Sequence, residues 1–217
     1  MNPFNCYIIH YTKLTDRKQH LDEEVIPLLK QSPYIKNIVF INEYDKESEE
    51  VLNIKEKGAS ESLSVISCSK KHFTAWQLFQ KSGEEHCLIL EDDVIPRNKD
   101  TFLKEFNIMI KLIEPKHTCV SFGTGCAFQV HGIKHGFKEE HMVRCTDSYI
   151  INKNFLEMYK MEGERYNTAI DHKMNSYFQR NKQICYWYAP ELVYQGSQKG
   201  GSDKKNFKST LTDITFF

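Results

Sequence analysis

The feature that most constrains the fold is an alternation of two kinds of segment over the first 122 residues. Short apolar runs rich in β-branched and aromatic residues predict strands at 6–10, 35–42, 86–90 and 117–122. Apolar residues at helical spacing predict helices after Thr15, from Ser67 or Ser69 to Gly83, and from 101 to Pro115. This alternation predicts an α/β fold with a mostly parallel sheet flanked by helices, in which ligands bind beyond the carboxyl ends of the strands.

The second half of the chain has a more mixed pattern. We expect a loop at 123–144, strands at 145–151 and 184–189, and helices at 153–161 and 169–181. The segment 196–205, GSQKGGSDKK, contains three glycines and no apolar residue, so we expect a mobile loop there. With no linker or internal repeat, residues 1–217 are predicted to form a single domain.

Composition limits the function classes. The basic residues, Lys and Arg, number 29, as do the acidic residues, Asp and Glu, so no net charge attracts nucleic acid. Only a weak peripheral membrane contact is expected, from the cationic and aromatic residues Lys204, Lys205, Lys208, Phe216 and Phe217. No apolar run approaches ~18 residues, and the N-terminus lacks the pattern of a signal peptide. Seven scattered cysteines without a C-x-x-C pair favour a reducing compartment, so a cytoplasmic location is expected.

The most informative motif is the acidic triplet Glu91-Asp92-Asp93, which directly follows a buried strand. Neighbouring carboxylates repel one another unless a cation lies among them. In an extended segment Glu91 and Asp93 would point to the same side, so both could bind one Mn²⁺ or Mg²⁺. The alternative is a solvated acidic turn before Pro96.

Six segments together resemble glycosyltransferase family 25, the lipopolysaccharide-biosynthesis and collagen-galactosyltransferase group. They are YIIHYTKLTDR, SCSKKHFTAW, LILEDDV, CTDSYIINKNFLEMY, AIDHKM and APELVYQGSQKGGSD. Lys71 departs from the serine expected before His72, and His10 stands where Asn or Leu is more usual. The resemblance implies a GT-A type, Rossmann-like fold and transfer of a hexose, galactose or glucose, with inversion from a UDP-sugar to a glycan or a hydroxylated acceptor.

The resemblance also implies roles for individual residues. Glu91 and Asp93 would bind the metal ion, and Asp171 in AIDHKM would be the general base, unless it is only a charge at the N-terminus of a helix. Residues that would bind the donor are Tyr11, Thr12, Arg17, His72, Asp92 and Lys199, the last on a closing loop. Residues 1–122 would hold nucleotide-sugar and metal, and residues 123–217 the acceptor.

Each of these assignments has a plainer alternative. Arg17 can be a solvated charge in the first turn of a helix, His72 a packed or exposed histidine, and Lys199 part of a disordered tail. The helical aromatics Phe73, Trp76 and Phe79 are expected in the core. Two other functions remain open: a catalytically inactive glycan-binding module of the same fold, and a metal-dependent phosphohydrolase or nucleotidyltransferase, for which the chain lacks a Gly-rich phosphate loop.

Overall fold

The computed structural model describes residues 1–123, 134–197 and 207. The strands in these ranges are β1 (Phe4–Ile9), β2 (Ile35–Ile41), β3 (His86–Glu91), β4 (Val94–Pro96), β5 (Cys119–Ser121), β6 (Gly136–Glu140), β7 (Ser148–Asn152), β8 (Cys185–Ala189) and β9 (Val193–Gln195). The helices are α1 (Thr15–His20), α2 (Ile26–Leu29), α3 (Glu49–Glu56), α4 (Leu63–Ser82), α5 (Lys99–Leu112), α6 (Lys153–Glu162) and α7 (Ile170–Arg180). A π-helical turn, Leu21–Val25, joins α1 to α2.

The central sheet has the strand order β2-β1-β3-β7-β5-β8-β6. Strand β1 pairs in parallel with β2 and β3, and β5 pairs in parallel with β8. The pairings of β7 and β6 are antiparallel, so five of the seven strands described in this sheet share one direction. The predicted α/β class, a Rossmann-like, mostly parallel sheet flanked by helices, is confirmed. Strands β4 and β9 form a separate antiparallel pair.

The sheet separates two apolar layers. Along β3 the side chains alternate: Ile89 faces the layer that contains Trp76 of α4, and Leu90 faces the layer that contains Phe106 of α5. The expected core positions of the α4 aromatics are confirmed, since Phe73, Trp76 and Phe79 are each no more than 1% exposed. Because helices cover both faces of the sheet, the open space for a ligand lies at the ends of the strands.

Helix α4, which forms one side of the candidate site, is longer than predicted. It begins at Leu63, where the Ser62 hydroxyl accepts a hydrogen bond from the Val65 amide, rather than at Ser67 or Ser69. Serine and β-branched residues have low helix propensity, but burial of Val65 and Ile66 compensates for it. The helix ends as predicted at Gly83, whose φ of 72° is left-handed.

The other differences concern short elements. Strand β6 lies within 123–144, where we expected only a loop, and the strand expected at 145–151 is Ser148–Asn152. Helix α3 and strands β4 and β9 were not predicted. Short edge strands carry little periodicity, and their partners in the sheet decide whether they form. Among the described helices, none is long and apolar enough to span a membrane.

The cysteines differ in state. Five of those in the described ranges are free thiols: Cys6, Cys68, Cys87, Cys119 and Cys185. Cys145 is disulfide-bonded, so the expectation of reduced cysteines does not hold at this position. Disulfide pairing depends on the approach of two Cα atoms in the folded chain, which scattered spacing in the sequence does not reveal.

Candidate functional site

A small cleft with a cavity volume of about 70 Å³ lies at the carboxyl ends of β1 and β3, beside the N-terminal half of α4. Its lining includes Tyr11, Arg17, Glu91 and Asp92, which the sequence assigned to donor and metal binding. Two more of the predicted residues lie beside them: Thr12 donates to the Asp45 carboxylate, and the His72 ring contacts Glu91. Lys199, most of the 196–205 loop and the residues expected to contact a membrane lie outside the described residues.

Both carboxylate oxygens of Asp92 are bound by neighbouring groups of the protein. One carboxylate oxygen accepts from the Tyr11 amide at 3.0 Å and lies 2.9 Å from His10 Nδ1, and the other accepts from Arg17 at 2.6 Å. Burial alone would raise the pKa of Asp92, but the His10 hydrogen bond and the Arg17 charge hold it below its usual range. Asp92 therefore joins the end of β1 to α1, and Arg17 supplies the positive charge that this carboxylate requires.

Asp93 does not continue the strand that carries Glu91. Strand β3 ends at Glu91 and residues 92–93 form a turn, so the extended geometry that would align the two side chains is absent. Asp93 Oδ2 accepts from the Ser197 amide at 3.2 Å and from its hydroxyl, whereas Oδ1 is buried without a hydrogen-bond partner among the described residues. Burial and the nearby Glu91 charge raise the pKa of Asp93 to about 6.

Asp147 is a site residue that the sequence analysis missed. It is fully buried directly before β7, and the backbone oxygen of Asp147 accepts from the Glu91 amide at 2.8 Å. Its Oδ2 has no hydrogen-bond partner among the described residues, and burial together with the Glu91 and Asp93 charges raises the pKa of Asp147 well above its usual range. The signal was present in the sequence as a lone carboxylate before the apolar run SYII.

Glu91, Asp93 and Asp147, hereafter the acidic cluster, have the donor chemistry of a site for a hard divalent cation. Carboxylate oxygens are the ligands that Mn²⁺ and Mg²⁺ prefer, and buried polar atoms are normally paired. Two oxygens of this cluster lack a partner among the described residues, and the Glu91 charge contributes to raising the pKa of both Asp93 and Asp147. A cation would satisfy both conditions, so the donor chemistry of these residues fits the metal that the resemblance implies. Their carboxylate oxygens do not all lie within 4.8 Å of one another, so one ion bound by all three would have to draw them together.

The contacts of Lys71 account for a lysine at the position where the family resemblance predicts a serine. Its side chain is 2% exposed, and its ammonium group donates to the backbone oxygens of His10 at 2.6 Å and Asn42 at 3.2 Å. It also pairs with the Asp45 carboxylate at 2.7 Å. Lys71 therefore ties the chain after β1 to the chain after β2 and forms part of the cleft wall.

Asp171 lies in the first turn of α7 and is not part of the cleft lining. Its Oδ1 accepts from the His172 amide at 2.8 Å, and its Oδ2 accepts from the Cys145 amide at 3.3 Å. The side chain is 20% exposed, and its charge contributes to raising the pKa of Cys68 in the cleft. The role at the helix N-terminus is thus present in the structure, and the role as a base stays a prediction.

From the raised pKa of Asp93 we predict that the metal-free protein loses stability as pH rises from about 4 to about 6. The native pKa of about 6 exceeds the unfolded value of 3.8, so between these values the native state holds more protons. The free energy of unfolding then falls with rising pH, and the stabilising contribution is complete only below the unfolded value. Urea unfolding in the presence of a chelator would measure this effect.

Asp93→Asn isolates that contribution, because asparagine does not titrate. The variant should show a smaller fall in stability over this pH interval than the wild type, and the exposed control Asp22→Asn should follow the wild type. Parallel curves for wild type and Asp93→Asn would refute the prediction.

Comparison with known proteins shows distant likenesses in fold. No family model and no curated protein matches the chain, so membership of glycosyltransferase family 25 is not confirmed. A glycosyltransferase involved in the glycosylation of the major capsid of PBCV-1 is 17% identical, with 73% of this chain and 64% of that chain covered and a TM-score of 0.42. This chain thus spans less than two thirds of that protein.

Two further solved structures are similar at the same level. UDP-glucose pyrophosphorylase complexed with UDP-glucose is 10% identical, with 86% and 90% of the two chains covered and a TM-score of 0.49. A197 from STIV is 13% identical, with 85% and 81% covered and a TM-score of 0.40. These values are too low for an activity to be transferred from any of the three proteins, so the function has to be argued from the site itself.

Proposed function

We propose that this protein is a metal-dependent inverting glycosyltransferase that moves a hexose, galactose or glucose, from a UDP-sugar to a glycan or a hydroxylated acceptor. The observation that supports this function is the acidic cluster beside an open cleft at the carboxyl ends of β1 and β3. In α/β sheets this edge is where nucleotides bind. The PBCV-1 enzyme is a glycosyltransferase and the pyrophosphorylase was solved with UDP-glucose, which agrees with the proposal but does not carry it.

The chain's own residues divide into three roles. Glu91 and Asp93, with Asp147 as the third carboxylate, would hold Mn²⁺ or Mg²⁺, and the bound ion would supply positive charge against the departing diphosphate. The donor-binding residues on and around the cleft are Tyr11, Thr12, Arg17, His72 and Asp92. Lys199, which lies outside the described residues, completes the predicted set. Of these, Arg17 and Asp92 are already positioned by their mutual ion pair, so the cleft wall is preorganised.

Asp171 is proposed to take the proton from the acceptor hydroxyl. Inversion by a single displacement requires a base that faces the sugar opposite the leaving group, and a carboxylate fixed by two backbone amides has a defined orientation. Residues 1–122, together with Asp147 and Lys199, then bind the donor and the metal, and the remainder of residues 123–217 binds the acceptor. The alternative, a catalytically inactive glycan-binding module, requires neither UDP nor a metal ion.

Asp93→Asn should weaken UDP binding at least about tenfold in the presence of Mn²⁺, a loss of ~1.4 kcal/mol, and should not change UDP binding in chelator. The reason is that asparagine keeps the shape of the side chain but removes a charged oxygen ligand. Isothermal titration calorimetry with UDP, with and without Mn²⁺, measures both values. Asp22→Asn serves as the matched control because Asp22 is exposed and pairs only with Lys18 among the described residues. Metal-independent UDP binding of equal strength in both variants would refute the proposal.

A further inference from the structure

Glu91 of the acidic cluster also lies close to a thiol and an imidazole, which are softer metal ligands than a carboxylate. Cys68, His72 and Glu91 each offer one metal-ligating atom, and these atoms all lie within 4.8 Å of one another. In the described part of the chain this is the one group of three such residues that is so closely spaced. Cys68 and His72 are four residues apart on α4, so the helix places both on one face, and the end of β3 brings Glu91 to them.

We propose that Cys68, His72 and Glu91 form a binding site for a divalent ion of the zinc class, with its open coordination position directed to the cleft. A thiol, an imidazole and a carboxylate are a ligand set suited to Zn²⁺ and Co²⁺ and poorly suited to Mg²⁺. Three protein ligands leave a fourth tetrahedral position free. Cys68 and Glu91 line the cleft and His72 is fully buried behind them, so that position is open to a ligand in the cleft.

The surroundings of the three residues resemble the outer shell of a metal site. His72 Nδ1 lies 2.8 Å from the Tyr149 hydroxyl, which also accepts a hydrogen bond from the Trp76 indole at 3.0 Å. With a proton on Nδ1 donated to Tyr149, the lone pair of Nε2 faces Glu91 Oε1, 3.3 Å away. The partner of a ligating histidine fixes its tautomer and its orientation in this way.

Glu91 is also oriented by a hydrogen bond to the same oxygen that lies near His72. Its Oε1 accepts from the Thr146 hydroxyl at 2.6 Å. The ligands thus come from a long helix and a central strand, both rigid elements, rather than from a loop. Binding of the ion would displace the Cys68 thiol proton to solvent as the sulfur–metal bond forms, so the uptake of metal should release a proton.

Glu91 also belongs to the acidic cluster, which makes the two sites coupled. An ion of the zinc class on Cys68, His72 and Glu91 would occupy the carboxylate that the proposed donor metal requires. The site described here therefore differs from the acidic cluster in ligand chemistry and in metal preference, and it can exist whether or not the protein transfers a sugar.

The test uses the full chain freed of metal and titrated with Co²⁺, a spectroscopic substitute for Zn²⁺. The wild type should show a thiolate-to-cobalt charge-transfer band, which Zn²⁺ should abolish by displacement. Cys68→Ser should lose the band. Cys185→Ser is the control: Cys185 is also a free cysteine, buried where Cys68 is half-buried. Its sulfur donates to the Glu140 backbone oxygen at 3.3 Å, and serine can keep that bond. The control should retain the band.

Tyr149→Phe tests the outer shell. It should keep the band but lower Co²⁺ affinity by about 10–100-fold, the usual cost of losing such a partner. A second readout needs no variant: Zn²⁺ should protect Cys68 of the wild type from alkylation, as measured by mass spectrometry, because Cys68 is the half-buried one among the described free cysteines.

Two outcomes would overturn the inference: no thiolate band in the wild type at saturating Co²⁺, or alkylation of Cys68 that Zn²⁺ does not slow. Asp93→Asn separates this inference from the proposed function, since it should retain the cobalt band while it loses Mn²⁺-dependent UDP binding. A wild type that shows the band but binds no UDP would refute sugar transfer and leave the soft-metal site standing, and the reverse result would refute only the metal site.

Discussion

Replacing Asp171 by asparagine should lower the rate of sugar transfer by about 10²–10⁴-fold while the affinities for UDP and Mn²⁺ hold, because general-base catalysis is typically worth that much. Asparagine keeps the shape of the side chain and an oxygen that accepts from backbone amides, but it cannot take a proton. Steady-state kinetics with a saturating donor would report the loss in kcat, and calorimetry would report the unchanged affinities.

The structure makes the stability of this variant an essential control. Asp171 accepts hydrogen bonds from His172 and Cys145, so its replacement also weakens the start of α7. Asp100→Asn is a matched control, since Asp100 is an exposed acid in the first turn of α5. Both variants should lose a similar few tenths to ~1 kcal/mol of unfolding free energy from the helix terminus, and only Asp171→Asn should lose turnover. Wild-type turnover in Asp171→Asn would eliminate the base assignment.

Arg17→Met should destabilise the protein by about 3–5 kcal/mol, the expected cost of removing one partner of a buried ion pair. Arg17 and Asp92 have side chains that are each 6% exposed, and the guanidinium donates to Asp92 at 2.6 Å. Without Arg17 the Asp92 carboxylate stays buried and loses its main compensating charge. Urea unfolding monitored by circular dichroism would measure the change in free energy of unfolding.

Two comparisons identify the cause of that loss. Lys18→Met removes the neighbouring ion pair with Asp22, whose side chains are 37% and 51% exposed, and should cost less than about 1 kcal/mol. Adding Asp92→Asn to Arg17→Met removes the unpaired charge and should recover part of the stability. A variant Arg17→Met that folds with wild-type stability but no longer binds UDP would show that Arg17 acts only as a donor ligand.

The sequence was sufficient for features that depend on local pattern. Apolar runs alternating with helical periodicity predicted strands β1, β2, β3 and β5 and helices α1, α4 and α5, because each of these elements shows its buried face in its own residues. Helix α3 and strand β4 in the same part of the chain were missed. The same reasoning located the triplet Glu91-Asp92-Asp93 at the end of a strand. It also placed Trp76 in the core, where it is fully buried.

The sequence pattern did not reveal how the side chains of Glu91, Asp92 and Asp93 are arranged. The sequence analysis assigned Glu91 and Asp93 to one metal ion, because an extended segment would align them, and Asp92 to the donor, but the chain turns after Glu91. Asp92 consequently pairs with Arg17 and contacts His10, and Asp93 accepts hydrogen bonds from Ser197. Which residue compensates a buried charge depends on the packing of α1 against the end of β3, and periodicity carries no information about that packing.

The sequence by itself thus determined the α/β class, the order of its main elements and the strand end at which the acids lie, because burial periodicity is a local property. Only the tertiary structure decided which side chains meet there. Asp147 reaches the acids because β7 pairs beside β3, and Cys68 and His72 reach Glu91 because α4 packs across the same strand. Contacts between residues distant in the chain depend on strand order and helix packing, and the periodicity of one segment does not specify either of them.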